Sequence, residues 1–179
     1  MPVHQWLTTE WPTSEMPQPQ LRERIERLLT MQNMCVMSTI GGHGGPVATP
    51  IEFYADGLDL YTYPQPQSPK IHNIHRSEDR KVCAAVFMPY VGWASARGAQ
   101  LFSKADLFEP GTPEHAHGLD VFRWEASAAE LGRPMDRAPQ GLIMRIRPYR
   151  ITYTEHWLRK EGWAPRQVWK RSLDSSLQA

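Results

Sequence analysis

At 179 residues, with 41% hydrophobic and 22% charged side chains, the chain has the size and composition of one globular domain with a real core. A net charge of +1 gives no general attraction to nucleic acid or to an anionic membrane, and no apolar run approaches the length of a membrane span. The opening residues lack the basic and then apolar segments of a secretory signal. Cys35 and Cys83 each lie in an apolar run and read as free thiols packed as small hydrophobes, so a cytoplasmic protein is expected.

Residues 1–19 are proline-rich and aperiodic, and read as an extended N-terminal arm. Its Trp6 and Trp11 are expected to bury against the same domain or a partner subunit. Leu21, Ile25, Leu28 and Leu29 then repeat at helical spacing, with charged residues on the other face, and predict a helix over 20–31. From Met34 the period changes. Residues 34–40 read as a strand buried on both faces, 41–46 as a glycine-rich hairpin turn, 47–54 and 58–63 as two further strands around an Ala-Asp-Gly turn. Pro50 inside the second of these requires an edge or a bulge, because proline removes a ladder donor. Such a strand segment leaves neighbouring backbone N–H groups for a planar ligand, and an ordinary edge strand explains Pro50 equally well.

After the proline-rich loop 64–69, residues 70–76 predict a short helix that Ser68 would cap and Pro69 would begin. A helix start with Lys70 beside it is a candidate phosphate site. Residues 81–88 form a strand apolar on both faces. Residues 93–108 alternate as a long strand, with Gly98 suggesting a bend or bulge. Thr112-Pro113-Glu114 opens a helix that Gly132 and Pro134 stop. A pair of strands follows over 142–147 and 149–156, then a Trp- and Arg-rich stretch over 157–171, then a tail over 172–179. With no repeat of strand–helix–strand units, a doubly wound sheet is disfavoured, and a small antiparallel barrel fits better.

Of the seven histidines, His115 and His117 do not share a helix face, while His72 and His75 could; neither pair has nearby cysteines or a third ligand, and both read as solvated helical residues. No P-loop, dinucleotide fingerprint or nucleophile elbow is present. Ser38 and Thr39 have no sequence-local base. The 157–171 stretch could stack on single-stranded nucleic acid, line a ligand pocket or pack at a subunit interface, and a charge of +1 favours the last two.

In order, the strand, Gly-x-Pro turn (Gly44-Gly45-Pro46), proline-bearing strand, glycine turn, strand ending Tyr61-Thr62, Ser68-Pro69-Lys70 and apolar strand resemble the flavin-binding split-barrel family of pyridoxamine 5'-phosphate oxidase. The likeness extends through the strand around Gly98 and the segment 144–151, covering about 21–171. It implies a mainly β fold, a six-stranded antiparallel split barrel with flanking helices over 20–171. It implies FMN, with Ala48, Thr49, Pro50 and Ile51 along the isoalloxazine, Tyr61 and Thr62 where the next strand meets the flavin, and Ser68 and Lys70 at the phosphate. Trp93 falls where the family has a flavin-contacting glutamine, and Trp157 and Arg166 match its late Trp and Arg. The Arg-Leu-His-x-x-Arg pattern that grips the family's substrate is missing; the chain reads Arg159-Lys160-Glu161-Gly162-Trp163 instead. The expected protein is therefore a homodimeric FMN-dependent oxidoreductase with cofactor at the subunit interface. It would act on a small molecule or nicotinamide donor other than pyridoxamine phosphate. A carrier or sensor of flavin or haem, or a haem-degrading protein on the same barrel, is the alternative.

Overall fold

The structure is a computed structural model that describes residues 10–89, 92–134 and 136–172, the side chains of Trp93 and Ser127 excepted. Trp6 and the tail beyond residue 172 lie outside the described residues. Helix α1 (Gln18–Thr30) starts with Pro19 in its first turn and buries Leu21, Ile25, Leu28 and Leu29, the stripe that the sequence periodicity marks. Strands β1 (Met34–Ile40), β2 (Pro46–Glu52), β3 (Tyr54–Asp56) and β4 (Asp59–Thr62) follow. The glycine cluster closes the β1–β2 hairpin, with the Gly41 N–H donating to the Gly45 carbonyl at 2.8 Å. Helix α2 (Pro69–Arg76) precedes β5 (Lys81–Phe87) and β6 (Arg97–Phe108). Helices α3 (Pro113–Phe122) and α4 (Trp124–Glu130) lead to β7 (Ile143–Glu155) and β8 (Arg166–Lys170).

All strand pairs are antiparallel, in the order β2-β1-β5-β6-β7-β4-β3, with β8 also on β7. Strands β2 and β3 stand at opposite ends of that order, yet only Phe53 separates them in the chain. The sheet must therefore curl until its ends meet. Phe53 is fully buried at the junction, and its N–H donates to the Asn33 carbonyl at 2.8 Å. Strand β7 pairs along one edge with β6; along its other edge Met144–Ile146 meet β4 and Arg150–Thr154 meet β8.

The expected antiparallel split barrel is present, but with eight strands among the described residues where the resemblance implies six. Phe53 divides the expected second strand into β2 and β3. Part of the Trp- and Arg-rich stretch forms β8, because Gln167 and Trp169 alternate inward. The expected pair over 142–156 is a single strand, and its Pro148 sits at the register shift opposite Phe102 and Ser103. The bulge is there, not at Gly98. Gly98 instead answers a close approach: a Cβ on it would stand 3.1 Å from the Val86 carbonyl oxygen and 3.2 Å from Phe87 Cβ. Trp93 belongs to a 3-10 turn (Trp93–Ser95) ahead of β6. The helix expected from Thr112 breaks at Arg123, which adopts φ 54° and lays its guanidinium over the Tyr54 ring. Both cysteines are free, Cys35 buried with its thiol pushed up to about 12 by burial and Cys83 half-buried.

Inward residues of the barrel include Met37, Ile51, Ala84, Leu101, Ile146 and Ile151, and α2 closes one side with Ile71 and Ile74. One polar cluster ties α1 to the barrel. Glu155, at the end of β7, accepts from Arg24 at 3.1 Å, from the Tyr153 hydroxyl at 2.7 Å and from Arg97. Arg24 also bonds Glu161. Burial alone would raise the Glu155 carboxyl; the Tyr153 hydroxyl and the two guanidinium groups outweigh it and hold the carboxyl below its ordinary range. A depressed folded value stabilises the fold above the unfolded value of about 4.3, and that contribution is lost as pH falls through the folded value. Glu155→Gln should therefore lower stability at pH 7 by about 3 kcal/mol. Urea melts across pH should show the gap between the variant and the parent closing below pH of about 4.

Candidate functional site

The start of α2 is the best-formed polar site. Ser68 stands at the N-cap position with φ −71° and ψ 148°, but its side chain makes no capping bond. Its Oγ is the one buried side-chain oxygen or nitrogen among the described residues with no hydrogen-bond partner. The sequence expectation of a Ser68 cap is thus corrected: the Ile71 N–H, a donor that a capping hydroxyl would take, turns with the His72 N–H to the Ser68 carbonyl, at 3.0 and 3.3 Å. The hydroxyl and the Lys70 N–H are left for another acceptor, with the Lys70 ammonium two residues away. A buried hydroxyl without a partner costs about 1–3 kcal/mol, a cost that an oxyanion seated there would remove. An anion also suits the positive end of the helix dipole. Phosphate chemistry fits this set of donors.

Helix α2 is fixed to the sheet by a buried bond that the sequence did not signal. The Asn73 amide donates to Thr39 Oγ1 on β1 at 2.9 Å, and Arg76 donates to Asn73 Oδ1 at 2.7 Å. Arg76 reaches the β1–β2 turn, where a Cβ on Gly42 would stand 2.8 Å from its Nη1. Thr39 pairs with Val47, so α2 and β2 flank the same stretch of β1. Ser68 is five residues before Asn73, about 7.5 Å along the helix axis. The only sequence hint was the polar Asn73 between Ile71 and Ile74.

β2 is a terminal strand, which accommodates Pro50. Ala48 and Pro50 are exposed, Thr49 is half-buried and Ile51 is buried. Cross-strand pairing places Ala48 beside Ser38 and Pro50 beside Val36; Ser38 in turn faces Cys83, and Val36 faces Ala85. The outer face of β2, β1 and β5 is therefore a run of small and apolar side chains, bordered by exposed Met34, Ile40 and Phe87.

Tyr61 and Thr62 point to opposite faces of β4. Thr62 is buried. The Tyr61 ring packs under α3 with Leu119, Phe122 and Ile143 and meets the His117 ring edge-on at 5.4 Å between centroids. Burial raises its phenol. Gly118 makes this fit possible: a Cβ there would stand 2.4 Å from Ile143 Cγ2. His115, expected to be solvated, is buried in the same region with its Nε2 2.8 Å from the Gly141 carbonyl. His72 and His75 are exposed, and the described residues hold no cluster of three or more potential metal ligands.

Trp93, Trp157 and Arg166 form a second group at the other end of the barrel. Trp157 starts a turn of 3-10 helix (His156–Glu161), half exposed, with Lys160 Nζ 3.9 Å from its ring centroid. The Trp93 turn packs on that helix, and the His156 N–H donates to the Ala96 carbonyl at 3.2 Å. Arg166 is exposed on β8 opposite Thr154. Thr62 pairs with Met144 and hence lies level with Leu107 of β6, whereas Trp157 follows Glu155, which pairs with Arg97. Those levels are about 33 Å apart along β6. Pro50, by contrast, lies level with Val36, Ala85 and Gln100, only three residues along β6 from Arg97.

An antiparallel sheet curled into a split barrel, with α2 packed at its side, defines the class. A family profile for pyridoxamine 5'-phosphate oxidase matches residues 21–154, and the chain belongs to that family. No match was found among curated proteins. Among solved structures, it is similar to a Clostridium acetobutylicum protein of the pyridoxinephosphate oxidase family related to general stress protein 26 of B. subtilis (TM-score 0.61, 12% identity, covering 87% of this chain and 96% of that one). It is also similar to a FAD-binding protein from Mesorhizobium loti (TM-score 0.58, 14% identity, covering 73% and 91%). A third is a heme binding protein from Mycobacterium smegmatis (TM-score 0.58, 16% identity, covering 79% and 55%). At these identities the shared feature is the fold.

Because the Ser68 hydroxyl has no partner among the described residues, Ser68→Ala should leave the ligand-free protein unchanged or stabilise it by about 1 kcal/mol. Urea unfolding without added ligand measures this, and a loss of stability would show that Ser68 caps α2 after all.

Proposed function

We propose that the protein binds FMN and is a flavin-dependent oxidoreductase. The orphan Ser68 hydroxyl at the mouth of α2, with Lys70 beside it, carries the reading: these groups would hold the phosphate. Ala48, Thr49, Pro50 and Ile51 would lie along the isoalloxazine through their backbone. Tyr61, with its ring committed to α3, would contribute main chain only, next to Thr62. Bound flavin supplies reversible hydride and electron transfer; the chain supplies the anchor, the ring orientation and the surroundings. Two unpaired cysteines suit a reducing, cytoplasmic setting. The departure from the family's substrate-gripping pattern over 159–163 argues for a small substrate, or a nicotinamide donor, other than pyridoxamine phosphate.

Thr62 on one side and Trp157 on the other are too far apart along the barrel to share one flavin within one chain. A second copy would supply the missing half. The flat outer face of β2, β1 and β5 suits such pairing, since small residues such as Ala48, Ser38 and Ala85 let two sheets approach closely. In the homodimer, FMN would then sit between subunits.

The visible spectrum of the purified protein tests the cofactor: flavin absorption supports the reading, and an intense Soret band or a colourless protein that binds no added FMN overturns it. Lys70→Ala should weaken FMN by about 1.5–3 kcal/mol and leave riboflavin affinity nearly unchanged. Equal losses for both ligands would remove the phosphate assignment. Ala85→Glu, placed in the centre of the outer face, should convert a dimer to a monomer in light scattering and reduce FMN binding with it. A parent protein that is monomeric with flavin bound would refute the shared site.

A further inference from the structure

We propose that the outer face of β6, β7 and β8 binds a single-stranded nucleic acid through its phosphates. Cross-strand register builds a block of cations there. Lys81 of β5 stands opposite Lys104 of β6, and Lys104 stands opposite Arg147 of β7. On the next rung, Phe102 stands opposite Arg150, and Arg150 opposite Lys170 of β8. Ser103, Ala105, Ile146, Pro148, Ile151 and Trp169 are buried, so the cations that alternate with them face away from the barrel. Lys81, Lys104, Arg150 and Lys170 are exposed, and Arg147 is half-buried.

The chain does not neutralise this block. At its borders Asp79 pairs with Lys81 and Asp59 with Arg171. Lys104, Arg147, Arg150 and Lys170 have no carboxylate partner among the described residues. Their backbone positions are neighbours roughly 5 to 7 Å apart, so their charges act together. The net charge of +1 hides them because acids gather elsewhere: residues 109–130 hold five carboxylates and one arginine. The partner that fits such a face is a polyanion.

Two features select a nucleic acid among polyanions. Tyr149 takes the extra position at the register shift between Arg147 and Arg150, and it is 43% exposed. A ring set among cations is what an unpaired base can stack on; an acidic peptide or a lipid headgroup has no use for it, and a duplex has its bases already stacked. Arg150 lies over the Phe102 ring, 5.0 Å from its centroid, which holds a planar guanidinium against the face. Guanidinium forks match phosphate oxygens. The face is separate from the flavin reading. Neither α2 nor β2 contributes to it, and Lys104 lies seven residues along β6 from Arg97, the level of the Trp157 turn.

Fluorescence anisotropy of a labelled oligothymidylate of about 15 nucleotides, titrated with the full chain, tests the proposal. Binding should saturate at low salt, and log Kd should rise with log [KCl] at a slope of about 3, as for four phosphates of a single strand. Lys104→Gln, Arg147→Gln and Lys170→Gln should each lower that slope by about 0.7. Arg27→Gln, at an exposed position of α1, should leave it unchanged. Tyr149→Ala should weaken the oligothymidylate about fivefold or more and leave an abasic oligomer of the same length unaffected, which also shows that the variant folds. No saturable binding, equal effects of Arg27→Gln and Lys104→Gln on the slope, or equal effects of Tyr149→Ala on the two oligomers would overturn the proposal. Binding to phosphatidylserine vesicles or to polyglutamate, with none to the oligothymidylate, would overturn it too. A colourless protein that passes these tests sinks the flavin reading alone.

Discussion

The closure at Phe53 governs the rest of the structure. Two strands that end the sheet on opposite sides are consecutive in the chain, and a single buried phenylalanine, with its N–H on the Asn33 carbonyl, makes the turn between them. A flat sheet cannot satisfy that connection, so the strands coil into a barrel around the residues they turn inward. The same closure leaves β2 with a partner on one side only. It also leaves α2 to plug the barrel from the side of β1, where Asn73 and Thr39 fix its height. The exposed strand and the helix mouth are adjacent because of how the barrel closes.

That geometry divides the chemistry. Near α2 the chain gathers a buried hydroxyl, an ammonium and a helix start, all suited to an anion. At the far end it gathers tryptophans and cations on short 3-10 segments, stabilised by the charges around Glu155. Strand β7 runs between the two as a rigid spacer, hydrogen-bonded on both edges. The outer face of β2, β1 and β5, with its small residues, runs along one flank of the barrel.

Much of this was legible in the sequence because it rests on local rules. The stripe of Leu21, Ile25, Leu28 and Leu29, the Gly41–Gly45 turn and the edge position of Pro50 follow from periodicity and backbone chemistry, and they appear as expected. The misses are nonlocal. Nothing near residue 53 says that the chain there joins opposite ends of a sheet, so one strand was read where there are two. The pairing that makes β8 a strand comes from β7 and is invisible in a segment dominated by Trp and Arg. Ser68 stands at the helix start that the sequence marks but makes no capping bond, because a cap depends on χ1 and on which N–H groups remain unpaired, and the Ile71 N–H is taken by the Ser68 carbonyl. His115 buries because Gly141, distant in sequence, offers it a carbonyl.

Strand β7 has a consequence for how the molecule assembles. Among the described residues it is the only strand partner of β8 and the sole bridge from β6 to β4, and it begins at residue 143. Until it is laid down, β4 has just the three-residue β3 beside it, and the sheet β2-β1-β5-β6 stays open with two raw edges. Contacts between residues near 60 and residues near 146 are long-range, which slows folding and postpones the gain until most of the chain has been made. On the ribosome the N-terminal strands would therefore wait, exposed and sticky, for the C-terminal segment that closes them.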